Sequence, residues 1–171
     1  MTDWNYTAGT GLALYLWDEM KSELGYSETD YGGLIPIVTP HESPELQGFD
    51  GPNIVYTWSK RPQPGGLWLI ENELVTFTIY SQKAEKINEI INLAFARLNK
   101  EDESGQDLNT FTSTLFGAAY ADIRRFDYKS LSVLMADGPQ APLQEGGRYD
   151  GYFTVGVKYT HYGLDGLSIR Y

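Results

Sequence analysis

The feature that most constrains the fold of this chain is a strand that passes almost directly into a helix within residues 73–99. In the strand part, Val75, Phe77 and Ile79 alternate with polar residues, which is typical of a strand with one buried face. The helix predicted for residues 82–99 has apolar side chains at spacings of three and four: Ala84, Ile87, Ile90, Ile91, Ala94, Phe95 and Leu98. Because each element has one apolar face, the segment predicts a helix packed on a sheet.

A second amphipathic helix is predicted near the N-terminus, over residues 10–24. Thr7 or Thr10 is a suitable N-cap, and Gly25 stands where a left-handed C-terminal cap belongs. Ser81 is the corresponding N-cap prediction for the helix in 82–99. The apolar positions of the first helix are Leu12, Ala13, Leu16, Trp17, Met20 and Leu24.

The remaining patterns predict strands, at residues 53–58, 67–70, 123–135 and 152–160, with a short terminal strand near 167–171. Leu131, Val133 and Met135 alternate and are expected on one face of their strand. Residues 111–121 favour strand through Thr and Phe and helix through Ala, so both assignments remain open. The whole pattern predicts a single α+β domain over residues 1–171, with a mainly antiparallel sheet and two main helices packed on one of its faces.

Two segments have no strong helical or strand pattern. Residues 25–52 contain five Gly and four Pro, and their one extended stretch, Leu34 to Val38, includes a proline that favours an edge strand. A loop of this length is usually functional or ordered by a partner, although a packed surface loop is the alternative. The tail, residues 161–171, alternates apolar residues at its end.

Composition excludes several classes of protein. The 171 residues include no Cys, so the chain has no disulfide, thiolate nucleophile or Cys-based zinc site. The formal net charge of −10 disfavours nonspecific binding to nucleic acid, because neutralising phosphates requires an excess of Lys and Arg. No apolar run is long enough to span a membrane, and the first residues lack the pattern of a signal peptide. We therefore expect a cytosol-compatible globular domain.

The sequence contains no nucleotide-binding, hydrolase or metalloprotease motif. Its two histidines, His41 and His161, are far apart in the chain, and we expect His41 in an exposed loop. The acidic segment 100–107 lacks the ligand spacing of a calcium loop. We therefore predict no catalytic site, no bound metal and no cofactor.

A carbohydrate-directed activity is the alternative that the residues leave open. The pairs Glu71 with Glu73 and Asp122 with Asp127 are candidate acid–base carboxylates, and the chain has four Trp and 13 Tyr that can stack on sugars. Aromatic side chains are also enriched at protein–protein interfaces, so they do not by themselves indicate sugar binding.

The layout as a whole resembles the tail-terminator or tail-completion proteins of long-tailed bacteriophages and the related head–tail joining proteins. The resemblance covers roughly residues 10–160: an N-terminal helix, a Pro/Gly-rich stretch, a strand such as NIVYTW (53–58), the strand-into-helix segment 73–99, and a C-terminal strand such as GYFTVGVKYT (151–160).

This resemblance implies a structural protein of the virion without catalysis. It implies a ring, commonly a hexamer of this chain, at the head-proximal end of the tail tube, which stops tube polymerisation and joins the tail to the neck. The implied partners are the tail tube protein, neck or connector proteins and, in contractile tails, the tail sheath. DNA would pass through the lumen without specific binding, and an acidic ring repels phosphates. Assembly would take place in the host cytoplasm, with no membrane partner.

If the resemblance holds, the long loop and the tail reach neighbouring subunits. The subunit-interface candidates are Tyr26, Tyr31, His41, Tyr162, Leu167, Ile169 and Tyr171. The alternatives are another neck or baseplate component of similar fold, and a carbohydrate-binding or carbohydrate-hydrolysing protein.

Overall fold

The chain folds around one mostly antiparallel sheet. The structure, a computed structural model, describes residues 8–40, 46, 48–61, 70–99, 108, 110, 111, 114, 124–126 and 131–161. The strands are β1 (Ile37–Val38), β2 (Asn53–Arg61), β3 (Ile70–Ser81), β4 (Arg124–Phe126), β5 (Ser132–Gln140) and β6 (Tyr149–His161). The helices are α1 (Ala8–Leu24), a 3-10 helix (Glu28–Tyr31) and α2 (Ala84–Leu98).

The described strands form a six-stranded sheet in the order β1-β2-β3-β6-β4, and β5 pairs with the same edge of β6 as β4 does. Every pairing is antiparallel except that of β1 with β2. The centre is the long pairing of β3 with β6, in which Phe77 lies opposite Phe153 and their rings stack at a centroid distance of 4.9 Å.

Both long helices pack on one face of the sheet, which we call the core face. Val75, Phe77 and Ile79 point to this face, and all three are fully buried. The helix α2 approaches β6 so closely that a Cβ on Gly151 would lie 2.5 Å from Cγ2 of Ile87. The fold is therefore α+β with its helices on one side of the sheet, as the sequence predicts. The described core residues contributed by the two helices are Leu12, Ala13, Tyr15, Leu16, Trp17, Met20, Ile87, Ile90, Ile91, Ala94 and Leu98.

The helix predictions are confirmed to within two residues; of the capping predictions, that for Gly25 is confirmed and those for Thr10 and Ser81 are wrong. The residue after α1, Gly25, has a φ of 72°, in the left-handed region that glycine tolerates. Thr10 lies inside α1, while Thr7 lies outside the described residues. Ser81 ends β3 instead of capping α2. Its Oγ accepts a hydrogen bond from the Lys83 amide at 3.1 Å, and Lys83 occupies the N-cap position.

The predicted strand 123–135 is corrected by the structure. Its first part contains β4, and β5 begins only at Ser132 and continues to Gln140, through residues that read as turn formers in the sequence. Val133 and Met135 pair with the adjacent residues Val155 and Thr154, so Leu134 is the extra residue of a β-bulge. This bulge breaks the alternation, and Met135 therefore does not share the buried face of Val133.

The predictions for β3 and for residues 111–121 also change. What the sequence separates into strands at 67–70 and 73–80 is one strand from residue 70 onward, and residues 62–69 lie outside the described part. In the ambiguous segment, the described residues Phe111 and Thr114 are helical. Within the described residues, no helix is long and apolar enough to cross a membrane.

Candidate interaction surface

The described part of the loop 25–52 packs on the chain's own core. Its 3-10 helix places Tyr31 against Trp17, Tyr26 and Phe49, with ring centroids 6.0–6.3 Å from that of Tyr31. The Tyr31 hydroxyl donates a 2.6 Å hydrogen bond to the carbonyl of Pro52, and burial raises its pKa. The side chain is fully buried, so the prediction of Tyr31 as a subunit-interface residue is wrong: a partner subunit cannot reach it.

Tyr26 remains half-buried beside Tyr31, and the partial burial raises its pKa. The positive charge of Lys86 acts in the opposite direction and lowers the pKa of Tyr26. The other predicted interface residues, His41, Tyr162, Leu167, Ile169 and Tyr171, lie outside the described residues and stay predictions. In the described part of the long loop, Tyr26 is therefore the one predicted subunit-interface residue that is partly exposed.

Arg148 ties the base of the turn between β5 and β6 to the end of the long loop. Its Nη1 donates to Oδ1 of Asn53 at 2.7 Å and to the carbonyl of Gly51 at 3.4 Å, and its Nη2 donates to the carbonyl of Phe49. Guanidinium donors fixed by several acceptors hold two chain segments in one relative position. The turn between β5 and β6 therefore has a fixed base, a feature that the sequence pattern did not reveal.

Glu73 is the most deeply buried carboxylate among the described residues, with 1% of its surface exposed. It lies on the core face, where Oε1 accepts a 3.1 Å hydrogen bond from the amide of Gly9 in the first turn of α1. A carboxylate at a helix N-terminus satisfies a free amide and complements the helix dipole. This environment favours a structural role for Glu73 over the acid–base role of the carbohydrate hypothesis. Its proposed partner Glu71 has no described side chain.

The two described edges of the sheet differ in how well they could pair with another strand. At one edge, the two-residue β1 follows Pro36 and pairs only with Ile54 and Val55, so β2 beyond Val55 has no partner on that side among the described strands. At the other edge, β5 contains Pro139 and has register shifts at Val133/Met135 and Asp137/Gln140. Short edge strands, prolines and bulges all hinder edge-to-edge addition. The β5 edge is therefore a poor template for a further strand, whereas the part of β2 beyond Val55 is not protected in this way.

The face opposite the helices, which we call the outer face, has an uncharged centre. Thr76 and Thr154 lie opposite each other there, and their hydroxyl oxygens are 3.0 Å apart. The nearest described acids on this face, Asp137 and Asp150, lie toward the β5–β6 turn. Register and burial assign these described residues to the uncharged centre: Val55, Thr57, Ser59, Leu74, Thr76, Thr78, Leu134, Met135, Tyr152, Thr154 and Gly156.

The three most exposed large apolar side chains of the described residues all belong to the β5–β6 hairpin. Leu134 and Met135 on the outer face are 58% and 54% exposed, and Leu143 at the hairpin turn is fully exposed. Exposed apolar clusters on a folded domain mark interaction sites. The other exposed large apolar residues are dispersed: Trp58 lies on β2, Phe95 on α2 and Leu34 between the 3-10 helix and β1.

Within the described residues, no group of three or more His, Asp or Glu side chains is placed to hold a metal ion. Comparison of the chain with protein-family models, curated proteins and solved structures found no match. The function must therefore be inferred from the fold and from this surface.

Proposed function

We propose that this protein is a structural component of a bacteriophage virion that forms a ring at the head-proximal end of the tail, terminates the tail tube and joins it to the neck. The observation that carries the proposal is the hairpin surface: its exposed apolar side chains lie on and beside an uncharged sheet face. In a chain with a net charge of −10, such a surface is where copies of the protein can approach with least repulsion. The sequence layout, which resembles that of tail terminators, supplies the biological setting.

The net negative charge of the chain is also compatible with DNA passing through the proposed ring. Copies of an acidic chain arranged around a channel present a repulsive field to phosphates, so DNA passes without being held. The ring would contact the tail tube protein on one side and neck or connector proteins on the other, with the sheath as a further partner in contractile tails. Hexameric stoichiometry and location in the virion belong to this proposal.

The experiment is deletion of the gene in the phage that carries it, followed by electron microscopy of the lysate and mass spectrometry of purified virions. We expect the protein in wild-type virions, and we expect separate heads and tails in the deletion, with some tubes of uncontrolled length. Expression of the intact gene from a plasmid should restore joined particles. Normal infectious particles from the deletion, or absence of the protein from wild-type virions, would refute the proposal.

The same surface also suits another neck or baseplate component. Labelling the protein on the particle separates a baseplate component from a terminator, because a terminator lies between the tube and the head. A label at the distal end of the tail would assign the chain to the baseplate instead.

A further inference from the structure

We propose that the ring is closed by the β5–β6 hairpin: its tip in one copy packs on an apolar patch on the outer face of the next copy. The tip is residues 141–147. The patch consists of Leu134, Met135, Tyr152 and Gly156. This inference rests on the proposed ring, for which it names the contact between subunits.

The β-bulge of β5 forms the patch. Because Leu134 is the extra residue, it and Met135 both lie on the outer face, although neighbouring strand residues normally point to opposite faces. Leu134 lies over Gly156, where a Cβ would come within 2.9 Å of its Cδ1. Met135 accepts a 3.5 Å hydrogen bond on its sulfur from the Tyr152 hydroxyl. The result is a contiguous apolar surface that no described element covers.

The tip is a compact projection with one apolar end. The Gly147 amide donates a 3.0 Å hydrogen bond to the carbonyl of Gln144, which closes the turn, and Gly146 has a φ of 79°. Leu143 stands beyond this turn with its whole side chain in solvent. Because Arg148 fixes the base of this turn, Leu143 binds at little further cost in ordering.

Charge favours a second copy of this chain as the occupant of the patch. Glu145 is the one charged residue of the tip, and the patch itself has none, with Asp137 opposite Tyr152 at its border. The helix side of the domain, in contrast, exposes acids such as Asp18 and Glu23. Two acidic copies that meet through tip and patch bury apolar surface without bringing those acids together, whereas a basic partner would be attracted to the helix side instead.

A ring also requires that two different surfaces meet. A contact of one surface with itself gives a closed pair, whereas a head-to-tail contact of two different surfaces gives a ring when the rotation closes. Tip and patch are separate parts of the same hairpin, so each copy can offer its tip to one neighbour and its patch to the other. The β5 edge, being bulged and containing Pro139, does not compete for this contact.

The test starts with two single variants of the full chain, Leu143→Glu in the tip and Met135→Glu in the patch. Light scattering coupled to size-exclusion chromatography should give rings for the wild type and monomers for each variant, with contact Kd at least about 30-fold weaker. Phe95→Glu is the matched control, because Phe95 is an exposed apolar residue on α2. It should leave the rings intact. Circular dichroism and thermal unfolding show whether each variant folds as the wild type does.

Mixing the two variants decides whether the contact is head-to-tail. The Met135→Glu variant keeps an intact tip and the Leu143→Glu variant keeps an intact patch, so an equimolar mixture can form one good contact per pair. We expect one-to-one heterodimers in the mixture and monomers in each separate sample. A wild-type monomer at every accessible concentration, rings in either variant, or no heterodimer in the mixture would each overturn the tip-and-patch contact.

These outcomes are distinguishable from failure of the proposed function. If tip and patch form rings but the protein is absent from virions, the contact stands and the virion role fails. If the protein lies at the tail–neck junction but the two variants still form rings, the virion role stands and this contact fails.

Discussion

Tyr31 shows at the scale of one residue how the long loop depends on the core. We predict that Tyr31→Phe lowers stability by ~1–3 kcal/mol at neutral pH, because it leaves the buried carbonyl of Pro52 without its donor. Burial holds the pKa of Tyr31 above that of an unfolded tyrosine, about 10. The contribution of the protonated Tyr31 to the free energy of unfolding is therefore complete below pH ~10. It is lost as the pH rises further, at up to ~1.4 kcal/mol per pH unit. Urea unfolding of the wild type and of Tyr31→Phe at increasing alkaline pH should show a free energy of unfolding that falls less steeply with pH in the variant. Equal slopes would contradict the assignment of this pH dependence to Tyr31.

The second prediction at this scale concerns Gly151, which allows α2 to approach β6 because it has no side chain. A methyl group there would lie 2.5 Å from Cγ2 of Ile87, so we expect Gly151→Ala to cost ~1–3 kcal/mol by overpacking. Gly138→Ala is the matched control, since its nearest neighbour would be 3.8 Å away. Denaturant unfolding measures both. In an Ile87→Ala background the added cost of Gly151→Ala should fall, and a purely additive result would show that this approach is not what requires the glycine.

At the scale of elements, α2 is the helix whose burial the sequence predicts best. Its apolar residues recur every three or four positions, and those at Ile87, Ile90 and Ile91 are buried. We predict that Ile91→Ala lowers the free energy of unfolding by ~2–5 kcal/mol, as large-to-small core changes do. The control Asn92→Ala, on the exposed face, should stay within ~0.5 kcal/mol. A loss for Ile91→Ala no larger than that of the control would mean that this face does not pack on the sheet.

The elements also show where sequence patterns are insufficient. Both long helices and the strands β2, β3 and β6 follow from periodicity, because each has one face in the core. The strand β5 does not, since its Gly and Pro residues read as a turn and its bulge adds a residue that no periodicity contains. The sequence does not predict the patch for the same reason, because strict alternation assigns Met135 to the buried side of the strand with Val133. The burial of Tyr31 was missed because it depends on contacts with residues distant in the chain.

At the scale of the whole molecule, the net charge of −10 sets how assembly responds to salt. Repulsion between acidic copies opposes ring formation at low ionic strength, where the Debye length is ~30 Å at ~0.01 M, and is largely screened at ~0.15 M, where it is ~8 Å. Because the tip and the patch contribute almost no charge, screening should remove repulsion without weakening the contact. We predict that the Kd between adjacent copies falls about tenfold over this range of sodium chloride. Sedimentation equilibrium measures it. Glu85→Lys, which makes an exposed site on α2 more positive by two units, should reduce this dependence. A Kd that rises with salt would mean that ion pairs hold the copies together and would exclude an uncharged contact.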